Sequence, residues 1–132
     1  LPNGIGYDEA MSIPKDAWKY IADKVDISDY EFEILQALYR AEIAYLNDRI
    51  GELKNILKIF DEWGDTIFVV TGDHGENIGN HGLMDHQYSL HNTLLRVPLI
   101  INGGGFDKVN SNRLIQLIRQ RQEQMYWITI GW

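Results

Sequence analysis

All four histidines of this 132-residue sequence fall between positions 74 and 91, among several carboxylates. Asp73 and His74 directly follow an apolar run and are flanked by Gly72 and Gly75. Adjacent side chains of a regular strand point to opposite faces, but flanking glycines permit a turn in which both reach one ion. A carboxylate with an imidazole suits Mn²⁺, Zn²⁺ or Fe²⁺, and with more oxygen ligands Ca²⁺ or Mg²⁺. We predict that Asp73 and His74 bind a divalent metal. The alternative is a polar loop in which they hydrogen-bond to each other.

The other three histidines support different interpretations. His86 stands thirteen residues after Asp73. As a neutral imidazole it could contact a leaving group, and as an imidazolium it could bind an anion. His81 follows Gly79 and Asn80 and precedes Gly82, so a positioning role in a tight loop is at least as well supported as metal ligation. For His91 we expect an ordinary loop histidine.

Composition limits the classes of function. The hydrophobic fraction of 45% and the charged fraction of 23% are those of a globular chain, and the length corresponds to one domain or part of one. The net charge of −7 argues against a nucleic-acid partner, because phosphate-binding surfaces need clustered Lys and Arg. Apolar runs are short, so we expect no membrane segment. Because the sequence has no Cys, it offers no thiolate metal ligands. A chain without Cys is compatible with both reducing and oxidising compartments, so composition does not assign a cellular location.

The elements that must position these side chains follow from periodicity. Residues 1–11 are expected to be irregular, and a short helix is expected over 17–22. A capping box at residues 28–31 begins an amphipathic helix predicted over 29–62 and ended by Gly64 and Asp65. Two apolar runs, 66–71 and 97–101, predict buried strands of the kind found in parallel sheets. The predicted order is a helix, a strand, the polar segment 72–95 and a second strand. This order predicts an α/β fold, with the functional loop at the carboxyl end of a strand.

Four segments resemble the sulfatase family of the alkaline-phosphatase superfamily. Residues 39–51 resemble the family's helix leading to the metal strand, and residues 66–76 resemble the strand ending in T-S-D-[HN]-G-E. Residues 79–83 match G-[ED]-H-G-L, and residues 95–101 match the R-V-P-L-I strand. These motifs occur in the family's order and spacing over about half of the chain, which makes the resemblance specific.

The resemblance implies a partial catalytic domain over residues 1–132, with the family-like region at about 39–106. The implied fold is part of an alkaline-phosphatase-like α/β sandwich. The implied reaction is hydrolysis of a sulfate ester by a formylglycine hydrate on a divalent cation, with Ca²⁺ expected and Mn²⁺ or Mg²⁺ as alternatives. By the same resemblance Asp73 and His74 are metal ligands. His86 occupies the position of a Lys that contacts the sulfate or the leaving oxygen in many members.

Departures from the family pattern lead to further expectations. The formylglycine motif C/S-x-P-S-R is absent, and no His precedes His74 to serve as the family's general acid. We therefore expect a fragment that is inactive alone, or a non-catalytic truncated product. A phosphatase, phosphonate hydrolase or phosphoryl transferase of the superfamily is the alternative activity. Residues 119–132 form an atypical tail, for which a frame change near Ile118 is one hypothesis. Exposed apolar faces of the helix and strands would favour homo-oligomers.

Overall fold

A computed structural model describes residues 4–103, which form four helices and four short strands. The atypical tail predicted at 119–132 lies outside the described residues. In chain order the elements are α1 (Tyr7–Ser12), α2 (Ala17–Ile21), α3 (Asp29–Ile59), β1 (Phe68–Thr71), β2 (Asn77–Ile78), a 3₁₀ turn (Asn80–Gly82), β3 (Met84–Asp85), α4 (Asn92–Leu95) and β4 (Leu99–Asn102). The α/β fold class is confirmed. The irregular start predicted over 1–11 is wrong from Tyr7 onward, where α1 begins.

The long helix α3 begins where its capping box predicts. The backbone N–H of Glu31 donates to the Ser28 hydroxyl over 3.3 Å, and the Glu31 carboxylate accepts the Ser28 backbone N–H over 2.8 Å. The helix ends at Ile59 rather than near Gly64. Asp61 takes the left-handed conformation, with φ 58°, so the chain turns without a glycine at this position.

The hydrophobic core lies at the amino-terminal end of α3. Six buried side chains pack together there, namely Ala10, Ile13, Ile27, Phe32, Ile34 and Leu35. Tyr20 of α2 meets Phe32 edge to face, with ring centroids 5.2 Å apart. The carboxyl-terminal half of the same helix is open to solvent. Ile59 is 79% exposed there and the adjoining Phe60 72%. The apolar stripe of α3 is therefore covered over its first turns only.

The two predicted strands do form, but they pair with each other. β1 and β4 run antiparallel, with Phe68 opposite Asn102 and Thr71 opposite Leu99. The prediction of strands buried on both faces, as in a parallel sheet, is wrong for the described residues. β1 is half-buried and β4 largely exposed, with Ile100 at 57%. Within residues 4–103 this sheet has only two strands.

The polar segment between these strands contains a second antiparallel pair, in which β2 lies beside β3. Gly79 closes this hairpin with φ 81°, and a Cβ there would lie 2.8 Å from the Phe32 ring. The Gln36 amide of α3 donates to the carbonyl of Ile78 over 3.0 Å. The hairpin is thereby fixed against the amino-terminal half of α3. Over the part of the chain that the structure describes, no helix has the length and apolarity needed to span a bilayer.

Candidate functional site

The candidate site begins at the carboxyl end of β1, where Gly72 is buried and Asp73 emerges into solvent. The backbone N–H of His74 donates to Oδ1 of Asp73 over 3.0 Å, which fixes the carboxylate beside the imidazole. The second oxygen, Oδ2, lies 3.7 Å from Nε2 of His74. The turn therefore brings both predicted ligand atoms to one side, as the sequence interpretation required.

His74 has a hydrogen bond that settles which ring nitrogen is free. Its Nδ1 lies 2.9 Å from the carbonyl oxygen of Gly75. A carbonyl can only accept, so Nδ1 is the donor in this contact, and in the neutral imidazole Nε2 is the nitrogen that has the lone pair. Metal-binding histidines generally donate their second ring N–H in this way. Since metal–ligand bonds here are about 2.0–2.6 Å, one cation can contact both Nε2 of His74 and Oδ2 of Asp73. The donor set fits a divalent cation.

His86 lies against this pair. Its ring stacks on that of His74, with centroids 4.2 Å apart and planes inclined by 20°. The hairpin produces this contact, because β3 ends at Asp85 and delivers the next residue over the end of β1. The sequence predicted His86 as a substrate or leaving-group contact, and the structure brings it next to the predicted metal ligands.

Two carboxylates surround His86. Oδ1 of Asp85 lies 2.7 Å from Nδ1 of His86, and Oε2 of Glu76 lies 3.3 Å from the same nitrogen. One ligand atom from each of these three residues falls within 4.8 Å of the others. Oε1 of Glu76 is buried and has no hydrogen-bond partner among the described residues. Burial raises the pKa of Glu76, while the hydrogen bond and positive charge of His86 act in the opposite direction.

Tyr39 of α3 is a neighbour of the site that sequence reasoning placed only in a family-like helix. Burial, and then the negative charge of Glu76, raise the pKa of its phenol. The two residues are far apart in sequence, so no local spacing could have joined them. The sequence shows Glu76 and Asp85 among the histidines, but it does not show that both carboxylates contact His86.

The remaining histidines form a separate pair. The rings of His81 and His91 stack with centroids 3.9 Å apart and planes inclined by 17°. His81 sits in the 3₁₀ turn with φ 58°, in agreement with a position in a tight loop. Both side chains are exposed. The four histidines thus divide into two stacked pairs, of which one adjoins Asp73.

A chain with this α/β arrangement and a carboxylate–imidazole pair at a strand end can be placed in a family by sequence comparison. The sequence model of the sulfatase family matches residues 19–128. Because this match covers well over half of the chain, the protein belongs to the sulfatase family. The match extends beyond both ends of the family-like region predicted at 39–106.

Curated relatives agree with this family. The chain is 29% identical over 79 residues to the multifunctional alkaline phosphatase superfamily protein PehA of Trinickia caryophylli, covering 60% of this chain and 15% of that protein. It is 31% identical over 80 residues to choline-sulfatase of Rhizobium meliloti, covering 61% and 15%.

A third relative is the N-acetylglucosamine-6-O-sulfatase of Bacteroides thetaiotaomicron. Identity is 36% over 63 residues, which is 48% of this chain and 11% of the relative. The matched segments thus span no more than about one seventh of any of these three relatives. No solved structure matches the chain.

Proposed function

We propose that this chain contributes the metal-binding segment of a sulfatase, an enzyme that hydrolyses a sulfate ester at a divalent cation. Asp73 and His74 would be two of the ligands of this ion, expected to be Ca²⁺, with Mn²⁺ or Mg²⁺ as alternatives, and the other ligands would come from elsewhere in the full-length protein. The observation that carries the proposal is the convergence of Oδ2 of Asp73 and Nε2 of His74 at 3.7 Å. Membership of the sulfatase family supports it independently.

The cation, when bound, would offset negative charge on the sulfate and favour the deprotonated form of a nucleophilic hydroxyl. The residues of this chain orient the donors. The backbone N–H of His74 fixes Asp73 through Oδ1 and leaves Oδ2 available, while the Gly75 carbonyl fixes the imidazole. Because these partners are backbone groups close in sequence, the pair can keep its geometry with little rearrangement.

His86 would contact the sulfate or the leaving oxygen. Its ring stacks on that of His74, which supports a position beside the proposed cation. As an imidazolium it would donate a charge-assisted hydrogen bond to an anionic oxygen. The nucleophile would be formylglycine in the full-length protein. This sequence contains no C/S-x-P-S-R motif, so we expect the purified chain to show no sulfate-ester turnover.

A phosphatase, phosphonate hydrolase or phosphoryl transferase is a second candidate. It is favoured by the similarity to a protein described as a multifunctional member of the alkaline phosphatase superfamily. The nucleophile distinguishes the two candidates, since formylglycine indicates sulfate chemistry and Thr or Ser indicates phosphoryl chemistry.

The metal proposal is tested by calorimetric titration of the chain with Ca²⁺ and Mn²⁺. We expect saturable binding that is lost in Asp73→Asn and kept in Asp48→Asn, a matched change at an exposed carboxylate of α3. Equal binding by the two variants would refute the assignment of Asp73. Hydrolysis of an aryl sulfate by this chain, abolished by Asp73→Asn, would refute the expected inactivity.

A further inference from the structure

The two carboxylates beside His86 converge on a single ring nitrogen. Oε2 of Glu76 forms a hydrogen bond with Nδ1 over 3.3 Å, and Oδ1 of Asp85 lies 2.7 Å from the same atom. A carboxylate accepts hydrogen bonds, so two carboxylate oxygens beside Nδ1 favour a proton on that nitrogen. Within residues 4–103 the polar contacts of this ring all involve Nδ1. Nε2 is therefore the nitrogen left for another molecule.

The hairpin holds both carboxylates in place. Asp85 pairs with Asn77 across the β2–β3 ladder, and Asn77 directly follows Glu76. The Asn77 side chain is fully buried, where it accepts a hydrogen bond from Thr93 over 2.6 Å and donates one to Ser89 over 3.2 Å. The segment carrying Glu76 is thereby fixed by groups from the far side of the loop.

Asp85 is held by its own backbone. It has φ 76°, a left-handed conformation that Asp tolerates better than most residues. In this conformation its Oδ1 also accepts the backbone N–H of His86 over 2.6 Å. One oxygen thus contacts both the main chain and the ring of His86, which limits rotation of the imidazole.

We propose that Glu76 and Asp85 are positioning residues for His86: they hold the proton on Nδ1, which selects the Nδ1–H tautomer when the ring is neutral, and they leave Nε2 facing the substrate, where the imidazolium donates to the anion. This inference rests on the proposed function for the identity of the substrate, a sulfate-type anion, but the locked tautomer is a property of the chain itself. The tautomer of a histidine is set by the hydrogen bond that its other nitrogen makes. Neither carboxylate is then a metal ligand, although both lie close enough to His86 to form a three-donor group.

The test is ¹⁵N–¹H correlation spectroscopy of the histidine rings, at a pH where His86 is neutral. We expect His86 of the unmodified chain to be mainly protonated at Nδ1. Glu76→Ala combined with Asp85→Gly should lose this preference. Glycine is chosen at position 85 because it accepts the positive φ without strain. Asp85→Gly alone should keep part of the preference, since the Glu76 hydrogen bond remains.

His91 and His81 serve as internal controls, because their stacked pair should keep its ring shifts in every variant. A purely structural role for the carboxylates would lower the melting temperature and leave the His86 tautomer unchanged. That result would overturn the proposal, as would protonation at Nε2 in the unmodified chain. The tautomer of His86 in the unmodified chain can be measured without any variant, so the proposal stays falsifiable even if the double variant does not fold.

Paramagnetic broadening by Mn²⁺ separates this inference from the proposed function. We expect Mn²⁺ to bind the Glu76→Ala variant still and to be lost from Asp73→Asn. Loss of Mn²⁺ binding in Glu76→Ala with normal binding in Asp73→Asn would place the cation on Glu76 and Asp85, the carboxylates beside His86. The positioning role would then be wrong. If neither variant changes metal binding, the metal proposal fails while the tautomer result still decides the positioning role.

Discussion

Gly75 is the position at which a single methyl group should do most damage to the candidate site. A Cβ built on it would overlap the carbonyl of Thr93 and lie 3.2 Å from Cα of Leu94. These are backbone atoms, so they cannot rotate away as a side chain would. The Gly75 N–H also donates to the Leu94 carbonyl over 2.8 Å, and its own carbonyl accepts from His74. Gly75→Ala therefore disturbs both the loop and the proposed metal ligand.

The magnitude follows from these contacts. Forcing an extra methyl group into a packed position costs about 1–3 kcal/mol. Weakening the hydrogen bond of Gly75 adds about 0.5–1.5 kcal/mol. We therefore expect Gly75→Ala to lower the free energy of unfolding by roughly 2–4 kcal/mol, as measured by urea denaturation. The Mn²⁺ affinity should fall about 10–100-fold, because the Gly75 carbonyl orients His74.

Gly51 provides the matched control. It lies inside α3, and a Cβ there would meet nothing within 4 Å. Gly51→Ala should raise the free energy of unfolding by about 0.5–1 kcal/mol, because alanine has the higher helix propensity. If Gly75→Ala unfolds at the same urea concentration as the unmodified chain, the close approach of the Thr93 backbone is wrong, and so is its role in the site.

Three further outcomes are expected. Ser28→Ala should lower the free energy of unfolding by about 0.5–2 kcal/mol in urea denaturation, since it removes the cap of α3, and no change would contradict the capping box. Hydrogen bonds from Ser28 lower the pKa of the Glu31 carboxyl below its usual value. The stabilisation by the Glu31 carboxylate is therefore present above the pKa of the unfolded chain and is lost as the pH falls through the pKa of the folded chain. The difference in free energy of unfolding between the unmodified chain and Glu31→Gln should shrink between pH 6 and pH 3, and a difference that does not change with pH would contradict this. Light scattering after size exclusion should show an oligomer that Ile59→Ser with Phe60→Ser shifts toward monomer, because both side chains are exposed; a monomeric unmodified chain would contradict this.

Local sequence signals predicted the elements that depend on neighbouring residues. The capping box at Ser28 and the apolar period placed the start of α3 at the residue where it begins, because both act within one or two helical turns. The predicted end of α3 at residue 62 is wrong, because the helix ends at Ile59 and Asp61 takes the left-handed conformation. The apolar runs located β1 and β4 within two residues, but not their partner or its direction.

The sequence also predicted that Asp73 and His74 lie together after β1, since they are adjacent, and the structure puts Oδ2 of Asp73 3.7 Å from Nε2 of His74. Gly75 is required there by the close approach of the Thr93 backbone and not by a positive φ. Only the tertiary structure decided what surrounds His86. Glu76 and Asp85 lie ten and one residues before it, and they reach the same ring nitrogen because β2 pairs with β3. Tyr39 approaches Glu76 from a helix 37 positions earlier. Spacing along a chain fixes local geometry, whereas contacts between distant residues depend on how hairpins and helices pack.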